Sequence, residues 1–122
     1  MWLSFRSAPT GIDILAAGGA FGFDRPRICV QVKSGDSPTD RPEFTQLIGA
    51  MQSVGADQGL FVSWGGFKST VLKEVPAKFF KVRIWNENDL IEQLLANYDK
   101  LDPDIRVELS LKRIWTIASP DE

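Results

Sequence analysis

Arg27-Ile28-Cys29-Val30-Gln31-Val32-Lys33 is the stretch that decides the fold. Its residues alternate, so that Ile28, Val30 and Val32 point to one side of an extended chain and Cys29, Gln31 and Lys33 to the other. This is the pattern of a strand with one core face and one face that carries chemistry or meets solvent. Upstream, Gly11-Ile12-Asp13-Ile14-Leu15-Ala16 reads as a second short strand. Between the two lies a glycine-rich segment, 17–26, whose Phe21-Gly22-Phe23-Asp24 reads as a turn, so the natural arrangement is a hairpin. Further back, Trp2, Leu3 and Phe5 indicate that the first residues pack on something, with little room for a full helix before Gly11.

Downstream the period changes from two to 3.6. Asp40 is placed to cap a helix, with Glu43 three residues on as the reciprocal arm of a capping box and Pro42 in the first turn, where a missing N–H costs nothing. Phe44, Leu47, Ile48, Met51 and Val54 form one apolar stripe that ends before Gly55. Residues 58–64 predict a central buried strand. Residues 68–74 predict a second helix broken near Pro76, and 81–85 a further short strand. Asn86 or Asn88 caps a third helix reaching Leu95, with Leu90, Ile91, Leu94 and Leu95 as its buried face. Beyond Pro103, Ile105, Val107, Leu109 and Leu111 alternate with Arg106, Glu108, Ser110 and Lys112, which predicts an extra, half-exposed C-terminal strand. The fold class is therefore α/β: a mixed central sheet flanked by helices, with an N-terminal hairpin followed by β-α-β-α-β-α. That order favours parallel neighbours after the hairpin.

At 122 residues the chain fits a single domain, 1–122. One cysteine and no histidine exclude an internal disulfide framework, a Cys/His zinc site and histidine acid–base chemistry. No apolar run approaches the roughly 20 residues that span a bilayer, and no signal segment opens the chain, so a reducing, cytoplasmic setting is expected. A net charge of −2 argues against binding nucleic acid by bulk electrostatics. It still leaves room for a metal site, which needs acids and whose cation offsets them.

Three side chains stand out. Asp13 offers a carboxylate suited to a hard cation such as Mg²⁺. Gln31 and Lys33, two apart on one strand, project an amide oxygen and an ammonium side by side. Should their strand pair with the one bearing Asp13, the three converge on one phosphate. Asp13 and Gln31 then hold the metal, while Lys33 positions water and offsets charge growing on phosphorus. Taken singly, each also has an ordinary reading: a turn-capping aspartate and a common Gln-x-Lys triplet.

The spaced set Gly11-Ile12-Asp13, Val30-Gln31-Val32-Lys33, Asp40-Arg41-Pro42-Glu43-Phe44, Gly49-Ala50, Asp57-Gln58-Gly59-Leu60-Phe61-Val62-Ser63 and Gly66-Phe67-Lys68 resembles the catalytic core of Mrr-like restriction endonucleases, of the PD-(D/E)xK nuclease group. The resemblance runs to about Leu95 and implies a restriction-endonuclease-like fold. It also implies Asp13 as metal-binding aspartate, Gln31 where many relatives have glutamate, Lys33 as catalytic lysine, and Mg²⁺ or Mn²⁺ as cofactor. Glutamine is usual in the Mrr-like branch, although it removes a charge from the metal site. Relatives usually begin with a helix that supplies another acid, and no Asp or Glu precedes Gly11. The chain is therefore expected to be a fragment of a longer protein, or one that lost that helix.

Glu43 is a candidate accessory acid, though capping accounts for it as well. Arg25, Arg27, Arg41 and Lys68 are candidates for the DNA backbone. Trp64, Trp85 and Trp115 read as core or interface packing, and Cys29 as a small packed residue. The leading expectation is a metal-dependent DNA endonuclease domain of the type IV restriction kind, with a separate recognition domain. The need to cut two strands makes a two-fold homodimer an expectation, with the C-terminal strand as one candidate interface. The alternative is a catalytically inactive nuclease-fold domain serving DNA binding or assembly. A third reading is RNA or Holliday-junction cleavage at the same site.

Overall fold

In a computed structural model, which describes residues 2–5, 12–101 and 103, a five-stranded mixed sheet organises the chain. The strands are β1 (Trp2–Phe5), β2 (Ile14–Gly18), β3 (Asp24–Lys33), β4 (Gln58–Ser63) and β5 (Val82–Trp85), and they lie in that order. β1 to β3 are antiparallel neighbours, whereas β3, β4 and β5 are parallel. The hairpin and the parallel β-α-β array are thus as expected. β1 is an addition: the apolar residues near the N-terminus extend the hairpin into a three-stranded meander.

Helix α1 (Arg41–Val54) follows β3, the short helix α2 (Ser69–Leu72) follows β4, and α3 (Glu87–Ala96) follows β5. α1 has the limits its caps dictate. The Asp40 side chain accepts from the Arg41 N–H at 2.7 Å, and Gly55 closes the helix in the left-handed region at φ 69°. That N–H, with help from Lys68 and Thr70 and against some desolvation, holds the Asp40 carboxyl below the usual carboxylate range. α2 ends sooner than predicted, because the chain tightens into a 3₁₀ turn at Val75–Lys78 to accommodate Pro76.

Phe44, Leu47, Ala50 and Met51 of α1 enter one buried cluster with Ile12, Cys29, Phe61, Val71 and Val82. The register explains this grouping: Cys29 lies beside Gly59, Gln31 beside Phe61, and Gly59 beside Val82. Gly59 has no side chain because the Met51 sulfur occupies the space a Cβ would need. Phe61 meets Phe67 edge to face at 5.7 Å between centroids.

The two faces of β3 depart from the expectation that core and chemistry take opposite sides. Cys29, Gln31 and Lys33 lie on the helix-covered face, with Cys29 fully buried and the other two half-buried. On the other face Val32 is 44% exposed. Alternation reports which residues share a side; it cannot report which side a helix covers.

The chain falls into two compact units that divide after Ile91, inside α3. α3 opens with a reciprocal cap, in which Asn86 Oδ1 accepts from the Asp89 N–H and Asp89 Oδ2 from the Asn86 N–H. Its predicted buried face is only partly so. Leu90 and Leu94 are half-buried, while Ile91 and Leu95 are exposed. The predicted strand around 105–111, with Trp115, lies outside the described residues. Of the other tryptophans, Trp85 is half-buried and Trp64 is an exposed residue rather than a core one.

Phe44→Ala empties the centre of the α1 interface and should cost about 3–5 kcal/mol, read as a lower urea midpoint at unchanged slope. Burial pushes the Cys29 thiol up, against a smaller lowering by its backbone hydrogen bond. An aromatic disulfide reagent should therefore label Cys29 in native buffer at least about 10²-fold more slowly than in denaturant; similar rates in the two would show the thiol to be accessible.

Candidate functional site

The end of β3 and the residue preceding β2 form the centre of the site. Asp13 lies just outside β2, where the chain bends: Ile12 is buried in the core and Leu15 packs against it, so regular alternation breaks between them. The Asp13 N–H donates to the Val30 carbonyl at 2.9 Å, and its Oδ2 accepts from the Val32 N–H at 2.7 Å. Asp13 thus grips β3 on both sides of Gln31. Bond geometry keeps its carboxylate no more than about 8 Å from the Lys33 Cα.

Gln31 is half-buried, and its Oε1 is enclosed without a hydrogen-bond partner among the described residues. A buried amide oxygen left unpaired is costly, on the order of 1–3 kcal/mol, so an orphan acceptor on the strand that Asp13 grips marks a place where a cation or donor belongs. Lys33, two residues along the same face, reaches Glu43 in the first turn of α1. Its Nζ lies 3.1 Å from Oε2 and 3.2 Å from Oε1. Glu43 therefore does not complete the predicted capping box. Its carboxylate faces Lys33 and leaves the cap to Asp40 alone.

The Asp13 and Glu43 carboxylates and the Gln31 amide offer hard oxygen ligands of the kind that suits Mg²⁺ or Mn²⁺. No three His, Cys, Asp or Glu side chains form a cage among the described residues. Such a sparse donor set fits a cation that keeps several of its waters.

The four basic candidates do not gather at this point. Arg25 pairs with Asp57, which also accepts from the Arg27 N–H at 2.8 Å, while the Arg27 guanidinium donates to the Phe23 carbonyl. Both arginines belong to the far part of β3, with Arg27 about 20 Å from Lys33 along an extended strand. Arg41 and Lys68 stand nearer, at the start of α1 and of α2, and bind Glu74 at 2.6 Å and Asp40 at 3.4 Å respectively. Arg27 also borders an apolar cavity of about 390 Å³ lined by Leu15, Phe21, Phe23 and Val54.

One feature the sequence did not advertise is a buried hydroxyl pair beside the site. Ser63, the register partner of Lys33 on β4, is fully buried, as is Thr39. The Thr39 hydroxyl donates to Ser63 Oγ, and Ser63 donates to the Gly66 carbonyl, both at 2.8 Å. Two small polar residues separated by a helix and a strand give no local signal of such a bond.

No curated protein and no solved structure matches the chain. A family model does: the Mrr catalytic domain, described as restriction endonuclease, matches residues 3–94, a span that includes Asp13, Gln31, Lys33 and Glu43. With that match over most of its length, and with a mixed sheet flanked by helices that agrees with it, the chain belongs to the Mrr restriction endonuclease catalytic-domain family.

Proposed function

We propose that this domain is a metal-dependent endonuclease that hydrolyses phosphodiester bonds of DNA, in the manner of type IV restriction enzymes. The observation that carries the reading is the orphaned Gln31 Oε1, buried on the strand whose Val32 N–H binds the Asp13 carboxylate and two residues before Lys33 on the same face. Asp13 and Gln31 are the residues that would hold Mg²⁺ or Mn²⁺, with Glu43 as accessory acid. A divalent cation bound there supplies Lewis-acid polarisation of a phosphoryl oxygen.

The remaining chemistry belongs to the chain. The Val32 N–H takes up one oxygen of Asp13 and so orients the carboxylate, leaving Oδ1 for a ligand. Lys33, held by Glu43, brings positive charge and three N–H donors to the place where the scissile phosphate gathers negative charge. It can also orient the attacking water. Arg41 and Lys68, both near the start of α1, are the better placed of the four basic candidates to meet the backbone of the duplex.

Cutting both strands of a duplex favours a two-fold pair of chains, and choosing a sequence favours a separate recognition domain. No helix among the described residues is long and apolar enough to cross a membrane. A buried free thiol accords with the reducing cytoplasm.

Two measurements test the assignment. Mn²⁺-dependent plasmid nicking by the full chain should fall by about 10²- to 10³-fold in both Asp13→Ala and Lys33→Ala. Undiminished nicking in both ends the catalytic assignment, and no nicking by the unaltered chain favours the assembly role. Calorimetric titration with Mn²⁺ should show affinity lowered by at least about tenfold in Asp13→Asn, with a smaller loss in Glu43→Gln. Equal affinity in all three proteins places the metal elsewhere.

A further inference from the structure

We infer that Thr39 and Ser63 are positioning residues, whose buried hydroxyl bond sets the reach of Lys33 by locking the start of α1 to the end of β4. The inference rests on the reading of Lys33 as the amine of the nuclease site and identifies what holds that amine in place.

Lys33 ends β3 and Glu43 begins α1, and the segment between them, residues 34–38, is exposed throughout. An exposed segment of this kind cannot by itself fix the separation of the two charges at 3.1 Å. What fixes it is Thr39, fully buried just before the helix cap. Its hydroxyl donates to Ser63 at 2.8 Å, its N–H to the Gly66 carbonyl at 2.9 Å, and its carbonyl accepts from the Lys68 N–H at 2.9 Å. Ser63 returns its own proton to the same Gly66 carbonyl, so both acceptor positions of that oxygen are used.

Ser63 in turn stands beside Lys33 in the parallel register, and the Lys33 carbonyl accepts from the Trp64 N–H at 2.9 Å. The backbone leaves no slack around this knot. A Cβ on Gly65 would lie 2.5 Å from the carbonyl oxygens of Asp36 and Ser37, and Gly66 takes φ +82°. The strand bearing Lys33 and the helix bearing Glu43 therefore meet through Thr39 and Ser63, neither of which is exposed to a substrate.

Thr39→Val keeps the volume and removes the hydroxyl, and Thr39→Ser restores the hydroxyl. Two readouts on the full chain decide the matter: Mn²⁺-dependent nicking kinetics, and the rate at which acetic anhydride acylates Lys33 relative to the exposed Lys81, read by mass spectrometry. In Thr39→Val, kcat should fall about tenfold with KM changed less than about twofold, because the amine is misplaced and substrate binding is untouched. Relative acylation of Lys33 should rise at least about threefold as the amine is freed from Glu43, and Thr39→Ser should return both values to near the original.

Unchanged kcat and unchanged acylation in Thr39→Val overturn the inference, as does a loss that Thr39→Ser fails to restore. If the unaltered chain cuts nothing, the nuclease reading fails, while the acylation ratio still decides whether Thr39 positions the amine. Ser63→Ala, acting from the β4 side, carries the same two readouts should Thr39→Val fail to fold.

Discussion

β3 is hydrogen-bonded along both edges, antiparallel to β2 and parallel to β4, and the rest of the structure depends on that double pairing. A strand held on both sides cannot slip by one residue without turning every side chain to the opposite face. Cys29, Gln31 and Lys33 are thereby committed to the face that α1 covers. Along that face the environment changes in steps, from the closed core at Cys29 to the half-buried Gln31 and on to Lys33, which meets a helical carboxylate. One strand thus serves as both core and site.

The same pairing explains the electrostatics of the site. Asp13 does not lie within regular β2. It stands at a bend where its backbone and its carboxylate both bond to β3. The grip leaves one carboxylate oxygen occupied by a backbone N–H, on a strand whose Gln31 carries an unpaired, buried amide oxygen. Together with the Lys33–Glu43 pair, the local charge is small, which suits a hydrated divalent cation better than a tight protein cage. The basic residues at the far part of β3 have another occupation, because Asp57 and the Phe23 carbonyl bind them where the hairpin meets the start of β4.

Where the deciding interactions were local, the sequence could be read. The limits of α1 follow from Asp40, Pro42 and Gly55, each acting within a few residues of itself. The Asn86 cap of α3 is equally local. Glu43 shows where such reading stops. Three residues after a cap, a glutamate fits a capping box, and ten residues after Lys33 it fits an ion pair. Sequence spacing permits both, and only the crossing of helix over strand selects the second. The same holds for Arg25 and Asp57, whose bond spans 32 positions, and for β1, four residues whose pairing with β2 no short-range pattern announces.

Legible in the sequence were the order of elements from β2 to α3, the Asp40 and Asn86 caps, the alternation that puts Gln31 beside Lys33, and the spaced motifs that carry the family resemblance. These depend on backbone geometry and near neighbours. Tertiary structure alone decided that the polar face of β3 lies under the helix, that Asp13 closes on Val32, that Glu43 meets Lys33, and that Thr39 bonds to Ser63. Each of those joins residues from different elements, and the strength of a hydrogen bond or ion pair depends on a distance that only the packed chain sets.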